Sequence, residues 1–105
     1  MALTREFKAT VKARAERDAA FREALLTEAI ELLLSGDVET GKAILRDYIN
    51  ATVGFERLAK KTGTPCKSLM RMLGPKGNPR ASNLLGIIGT LQQVSGLHLE
   101  VAATR

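Results

Sequence analysis

The chain has 105 residues and a net charge of +5, with 45% hydrophobic and 26% charged residues, which is the size and balance of one soluble globular domain with a modest core. Its aromatic residues are Phe7, Phe21, Tyr48 and Phe55, with no Trp, which argues against binders that stack single-stranded bases on aromatic platforms and against RNA-recognition sheets. A single cysteine rules out an internal disulfide, and no apolar run approaches the roughly 20 residues of a membrane span.

The amino-terminal stretch, Met1 to Glu6, has neither the hydrophobic region nor the cleavage site of a leader, so a cytoplasmic protein, mature from its first residue, is expected. The pattern that follows is helical almost throughout. Thr4 is placed to cap a first helix that runs to about Arg17, with Phe7, Val11 and Ala15 on one stripe. Its other faces carry Arg5, Lys8, Lys12, Arg14 and Arg17 mixed with Glu6 and Glu16. They read either as a solvated amphipathic surface or as an arm that touches DNA or a protein partner.

Asp18 is a good N-cap for a second helix, about 19–34, whose core stripe is Phe21, Leu25, Ala29 and Leu32, widened by Leu26, Ile30 and Leu33. Gly36 suits the end of that helix and Asp37 the cap of the next. The third helix, about 38–52, turns Ile44, Leu45, Tyr48 and Ile49 inward. Gly41 costs it about 1 kcal/mol relative to Ala and points to close packing near its start.

From Phe55 to Leu73 the spacing predicts two short helices joined by a tight turn. Ala59 is small enough for a second helix to cross close by. Gly63, four residues on, tolerates the positive φ that such a turn often needs. Leu69 and Met72, three apart, share an inward face with Leu58 behind them, leaving Pro65, Cys66, Lys67, Met70 and Arg71 on the outside. This is the layout of a helix-turn-helix unit, whose second helix enters the major groove of DNA.

The charge distribution agrees. Residues 55–80 hold seven Lys/Arg (Arg57, Lys60, Lys61, Lys67, Arg71, Lys76 and Arg80) against one acid, Glu56, a net of +6. Residues 1–54 carry eight Lys/Arg and nine acids, a net of −1, and residues 81–105 are neutral. The basic excess therefore falls entirely on the segment with the helix-turn-helix spacing, where it raises the local concentration of a phosphate polyanion.

After Leu73 the run Gly74 to Arg80, with two glycines and two prolines, cannot be helical. A last helix, about 81–94, carries Leu84, Leu85, Ile87, Ile88 and Leu91 and closes at Gly96. The tail, Leu97 to Val101, alternates apolar and polar residues with period two and reads as one short strand. Its unpaired edge points to the same strand of a second copy, hence a homodimer. The expected fold is all-α, with five to six helices, a helix-turn-helix core and a short carboxy-terminal β-strand. Residues 1–36 form a helical extension and 37–105 the DNA-binding region of one compact domain.

Within this scheme Thr64 caps the second helix of the pair and Pro65 takes its first position, where a missing N–H is no loss. Base reading falls to Pro65, Cys66, Lys67, Met70 and Arg71. The Arg71 guanidinium matches O6 and N7 of guanine, and Cys66 and Met70 suit a thymine methyl. Contacts to phosphate fall to Gly54 and Phe55 at the start of the first helix of the pair, to Thr64 and Ser68, and to Lys76, Asn78 and Arg80 in the loop. Lys60 and Lys61 serve equally as phosphate contacts or as solvated charges.

The segments Gly54 to Gly63, Lys67 to Leu73 and Gly77 to Arg80, with Leu84–Leu85 and the stretch Leu33 to Asp37, resemble the addiction-module antidote proteins. These are small lambda-repressor-like regulators of the HigA type, and the likeness spans roughly residues 25–101. The resemblance implies a dimer that represses its own operon by binding operator DNA and neutralises a RelE-like, messenger-RNA-cleaving toxin. The basic first helix departs from that group, as does the Pro65–Cys66 pair on the reading surface.

No catalytic constellation is visible. His98 is the sole histidine and falls on the outer face of the tail, and a nucleophilic Cys66 would need a base beside it. One Cys and one His make no metal site, so neither metal nor cofactor is expected. Gly74–Pro–Lys–Gly lacks the Gly–Lys–Ser/Thr of a phosphate loop, and Glu28 and Glu31 lie among solvated positions. Three functions follow from the sequence: an autorepressing antitoxin, a transcription regulator without a toxin, or a protein-binding adaptor on the same fold.

Overall fold

Side-chain caps and glycines at fixed places divide the chain into helices. The computed structural model describes residues 5–105, without the Arg5 side chain, so the Thr4 cap lies outside the described residues. Helix α1 spans Arg5–Arg17, α2 Ala19–Leu34, α3 Val38–Ala51, α4 Phe55–Thr62, α5 Cys66–Met72 and α6 Ala81–Ser95. The Asp18 carboxylate accepts from the Phe21 N–H at 3.1 Å and starts α2. The Asp37 carboxylate accepts from the Thr40 N–H at 3.3 Å and starts α3. Each satisfies one of the orphan donors of a first helical turn.

Between α2 and α3 the backbone turns at Gly36, whose φ is +93°, and α3 then folds back on α2. Gly41 makes the close approach possible: a Cβ there would sit 2.8 Å from two atoms of the Leu33 side chain. Its cost in helix propensity is therefore a packing requirement.

The core runs through five helices. Leu26 and Ala29 of α2, Leu45, Tyr48 and Ile49 of α3, Phe55 and Leu58 of α4, Leu69 of α5 with Leu73 just beyond it, and Ile87, Ile88 and Leu91 of α6 form one buried cluster. Each large aliphatic member gains about 1.5–3 kcal/mol from leaving water. Helix α1 packs on α2 and α3 and is most deeply buried at its carboxy-terminal end. Along its expected stripe Ala15 is buried, Val11 half-buried and Phe7 52% exposed. The Arg14 guanidinium lies 4.7 Å from the centroid of the Phe21 ring and 3.6 Å from the Asp18 carboxylate, which ties α1 to α2.

Two expectations are corrected. No strand is present among the described residues. In the tail Leu97 and Leu99 pack on the core while His98 and Glu100 are exposed, so the alternation holds over these four residues and ends at Val101, which is 81% exposed. The Leu99 N–H, however, donates to the Gln92 side-chain carbonyl at 2.8 Å: extended backbone laid on an apolar surface alternates whether or not it has a ladder partner. The α6 stripe is also narrower than expected, with Leu84 half-buried and Leu85 64% exposed.

Candidate functional site

The basic segment folds as α4, a three-residue turn, α5 and the loop 74–80. Helix α4 buries Phe55 and Leu58 and ends where Gly63, at φ +73°, donates its N–H to the Ala59 carbonyl at 2.9 Å. The left-handed residue costs glycine nothing and would cost a side chain about 1–2 kcal/mol. Ala59 is half-buried against the core.

The start of α5 is shifted by one residue from the expectation. Pro65, at φ −56° and ψ 142°, is the N-cap, and its carbonyl accepts from Ser68 and Leu69 at 3.0 and 3.1 Å. Thr64 stands outside the helix and does not cap it. Its own N–H donates to the Thr62 hydroxyl at 3.2 Å. The extended ψ of Pro65 disqualifies it from the first helical position, so Cys66 takes that place and the cap has no side-chain acceptor.

Helix α5 then sorts its residues by face. Leu69 and the following Leu73 are fully buried, and Met72 is half-buried against the core. Outward stand Pro65, Lys67, Arg71 and Met70, the last 51% exposed. Cys66 departs from the expected outer surface: it is half-buried, packs on the core, and its Sγ lies 3.9 Å from Met70 Sδ. Ser68 is half-buried at the edge.

Of the remaining positions singled out in the sequence, Lys76, Asn78 and Arg80 are exposed along the loop. The Gly54 N–H is not free to meet a ligand as expected. Gly54, at φ +80°, is a corner glycine whose N–H donates to the Ile49 carbonyl at 2.7 Å, and the Phe55 ring is core. All seven Lys/Arg of residues 55–80 are exposed, and none forms an ion pair among the described residues, where the pairs are Arg14–Asp18 and Lys42–Glu39.

The loop 74–80 is held by a residue that the sequence concealed. Lys42 of α3 is 1% exposed. Its Nζ donates to the Gly74 carbonyl at 3.1 Å and the Gly77 carbonyl at 2.6 Å, and lies 3.0 Å from the Glu39 carboxylate. One turn along α3, Arg46 donates to the Leu73 carbonyl at 3.4 Å. Gly77 lies so close to the end of α5 that a Cβ would collide with the Arg71 and Met72 carbonyl oxygens. Only its side in sequence, 35 residues from Lys42, hides the link.

A concavity of about 620 Å³ lies between α1, α2 and α3. Phe7, Val11, Phe21, Leu25 and Ile44 line it, and Leu73 to Pro75 close one end. Burial raises the Asp47 carboxyl above its ordinary 3.8, against the opposing pull of Lys8 and Arg46. Among the described residues no group of three or more metal-ligating side chains comes together, and no helix is long and apolar enough to cross a membrane. Comparison of the chain with family models, with curated proteins and with solved structures returns no match.

Proposed function

We propose that α4, its turn and α5 form a lambda-repressor-like helix-turn-helix and that the protein is a sequence-specific DNA-binding repressor. One observation carries the reading: the seven cations of residues 55–80 are exposed and unpaired, while the inner side of the same segment supplies Phe55, Leu58, Leu69 and Leu73 to the core. Charge presented on one rigid unit, with no internal partner, is the electrostatic footprint of phosphate binding.

In this reading α5 is the recognition helix. Arg71 reads a guanine, with Lys67, Met70 and Pro65 beside it in the groove, and Lys76, Asn78 and Arg80 straddle the sugar-phosphate backbone. The resemblance of the chain to antidote proteins extends the proposal: a cytoplasmic homodimer that represses its own operon and neutralises a RelE-like toxin. The alternative is a regulator of the same architecture without a toxin. Co-expression with the neighbouring gene product and a pull-down separates the two, since the antitoxin must capture that partner.

The DNA reading is tested by gel shift on the duplex upstream of the protein's own reading frame. Arg71→Ala is expected to weaken binding by about 1–3 kcal/mol and to relax one base position, and Lys76→Ala to weaken all sequences alike and lower the salt slope by about 1. Parent-like affinity and selectivity for Arg71→Ala would remove it from the reading surface.

A further inference from the structure

We propose that Lys42 is a positioning residue that locks the loop 74–80 onto the end of α5, so that the base-reading helix and the backbone-contacting loop meet DNA as one body. The inference rests on the DNA reading above.

An ammonium has three N–H donors, and each is matched here: Gly74 O, Gly77 O and the Glu39 carboxylate. The two carbonyls bracket Pro75 and Lys76, and the second precedes Asn78 directly. One buried charge therefore fixes both ends of the short segment that carries Lys76 and presents Asn78. The contact with α5 is as tight. Gly77 lies against the carbonyls of Arg71 and Met72, where no other residue fits. Arg71, the proposed base reader, and Lys76, the proposed phosphate contact, are thereby tied through the same few backbone atoms. Backbone bonds from Gly74 N–H to Arg71 O and from Gly77 N–H to Gly74 O shape the turn locally, and Arg46 adds a longer bond to Leu73 O, at 3.4 Å, so among side chains Lys42 carries the clamp.

Lys42 is buried and reaches no phosphate itself. Any change in counterion release on its removal must therefore come through the loop. A residue that served stability alone would alter the folded fraction and leave the salt dependence of the folded protein unchanged.

The experiment measures binding of the parent, Lys42→Met and Gly77→Ala to the upstream duplex over a salt series, with circular dichroism to confirm folding. Loss of the Lys76 contact is expected to reduce the slope of log K against log salt by about 1 in both variants, since Arg80 is held as the N-cap of α6. Adding Lys76→Ala to Lys42→Met is expected to have little further effect, a non-additive pair. Folded Lys42→Met with the parent slope overturns the clamp. Should Lys42→Met fail to fold, Gly77→Ala decides in the same way, because it leaves every core side chain in place. If the parent binds no duplex, the DNA reading falls and this inference with it. If the parent binds and the variants keep its slope, the clamp alone falls.

Discussion

The two ends of α5 are held by different means. At its amino end a local device suffices: Gly63 in the left-handed region, bonded four residues back, and Pro65 with its extended ψ. At its carboxy end local bonds, Gly74 N–H to the Arg71 carbonyl at 3.1 Å and Gly77 N–H to the Gly74 carbonyl at 3.0 Å, shape the turn, and a distant group holds it against the domain. The loop from Gly74 to Arg80 is placed by Lys42, an ammonium on α3 that reaches across 32 and 35 residues to two carbonyls. A turn held by backbone preference forms wherever its residues occur. A loop held by a distant buried charge takes its place only when the whole domain has folded. The difference matters for function because the proposed base reader lies between these two anchors, while of the proposed phosphate contacts Lys76 lies within the second and Asn78 and Arg80 beyond it.

Three substitutions sharpen the contrast, in descending order of expected effect. Lys42→Met strands the Gly77 carbonyl, while the Gly74 carbonyl keeps the Gly77 N–H at 3.0 Å, and chemical denaturation is expected to register a loss of about 1–3 kcal/mol. A loss under half that size would place the loop's support elsewhere. Gly63→Ala meets open space at its Cβ, so its cost is conformational only, about 1–2 kcal/mol in thermal unfolding. Thr64→Ala removes no helix cap and should fall within about 0.5 kcal/mol of the parent. A loss of about 1 kcal/mol, the usual cost of a missing cap, would restore Thr64 to the role that the structure withdraws.

The same division explains what could be read in the sequence. Asp18, Asp37, Gly36, Gly63 and Gly96 act on the few residues around them, so the breaks between helices were visible, as was the tight approach at Gly41. Pro65 was misplaced by one position because a proline satisfies either the cap or the first helical site, and only ψ separates them. The tail showed its alternation but not its bonding, since Leu97 and Leu99 alternate into the core without a partner strand. Lys42 gave no local sign at all. It is one of eight basic residues balanced by nine acids in residues 1–54, and the carbonyls that pair it lie more than 30 residues away. Gly77 likewise read as a helix breaker, whereas its use is to let backbone meet backbone.

Backbone amide shifts of the labelled protein, followed by NMR while the upstream duplex is added, test the central claim most directly. The largest changes are expected over residues 66–71 and at Lys76, Gly77, Asn78 and Arg80, with the buried faces of α2 and α3 unmoved. Changes confined to α1, or none at low salt, would contradict it.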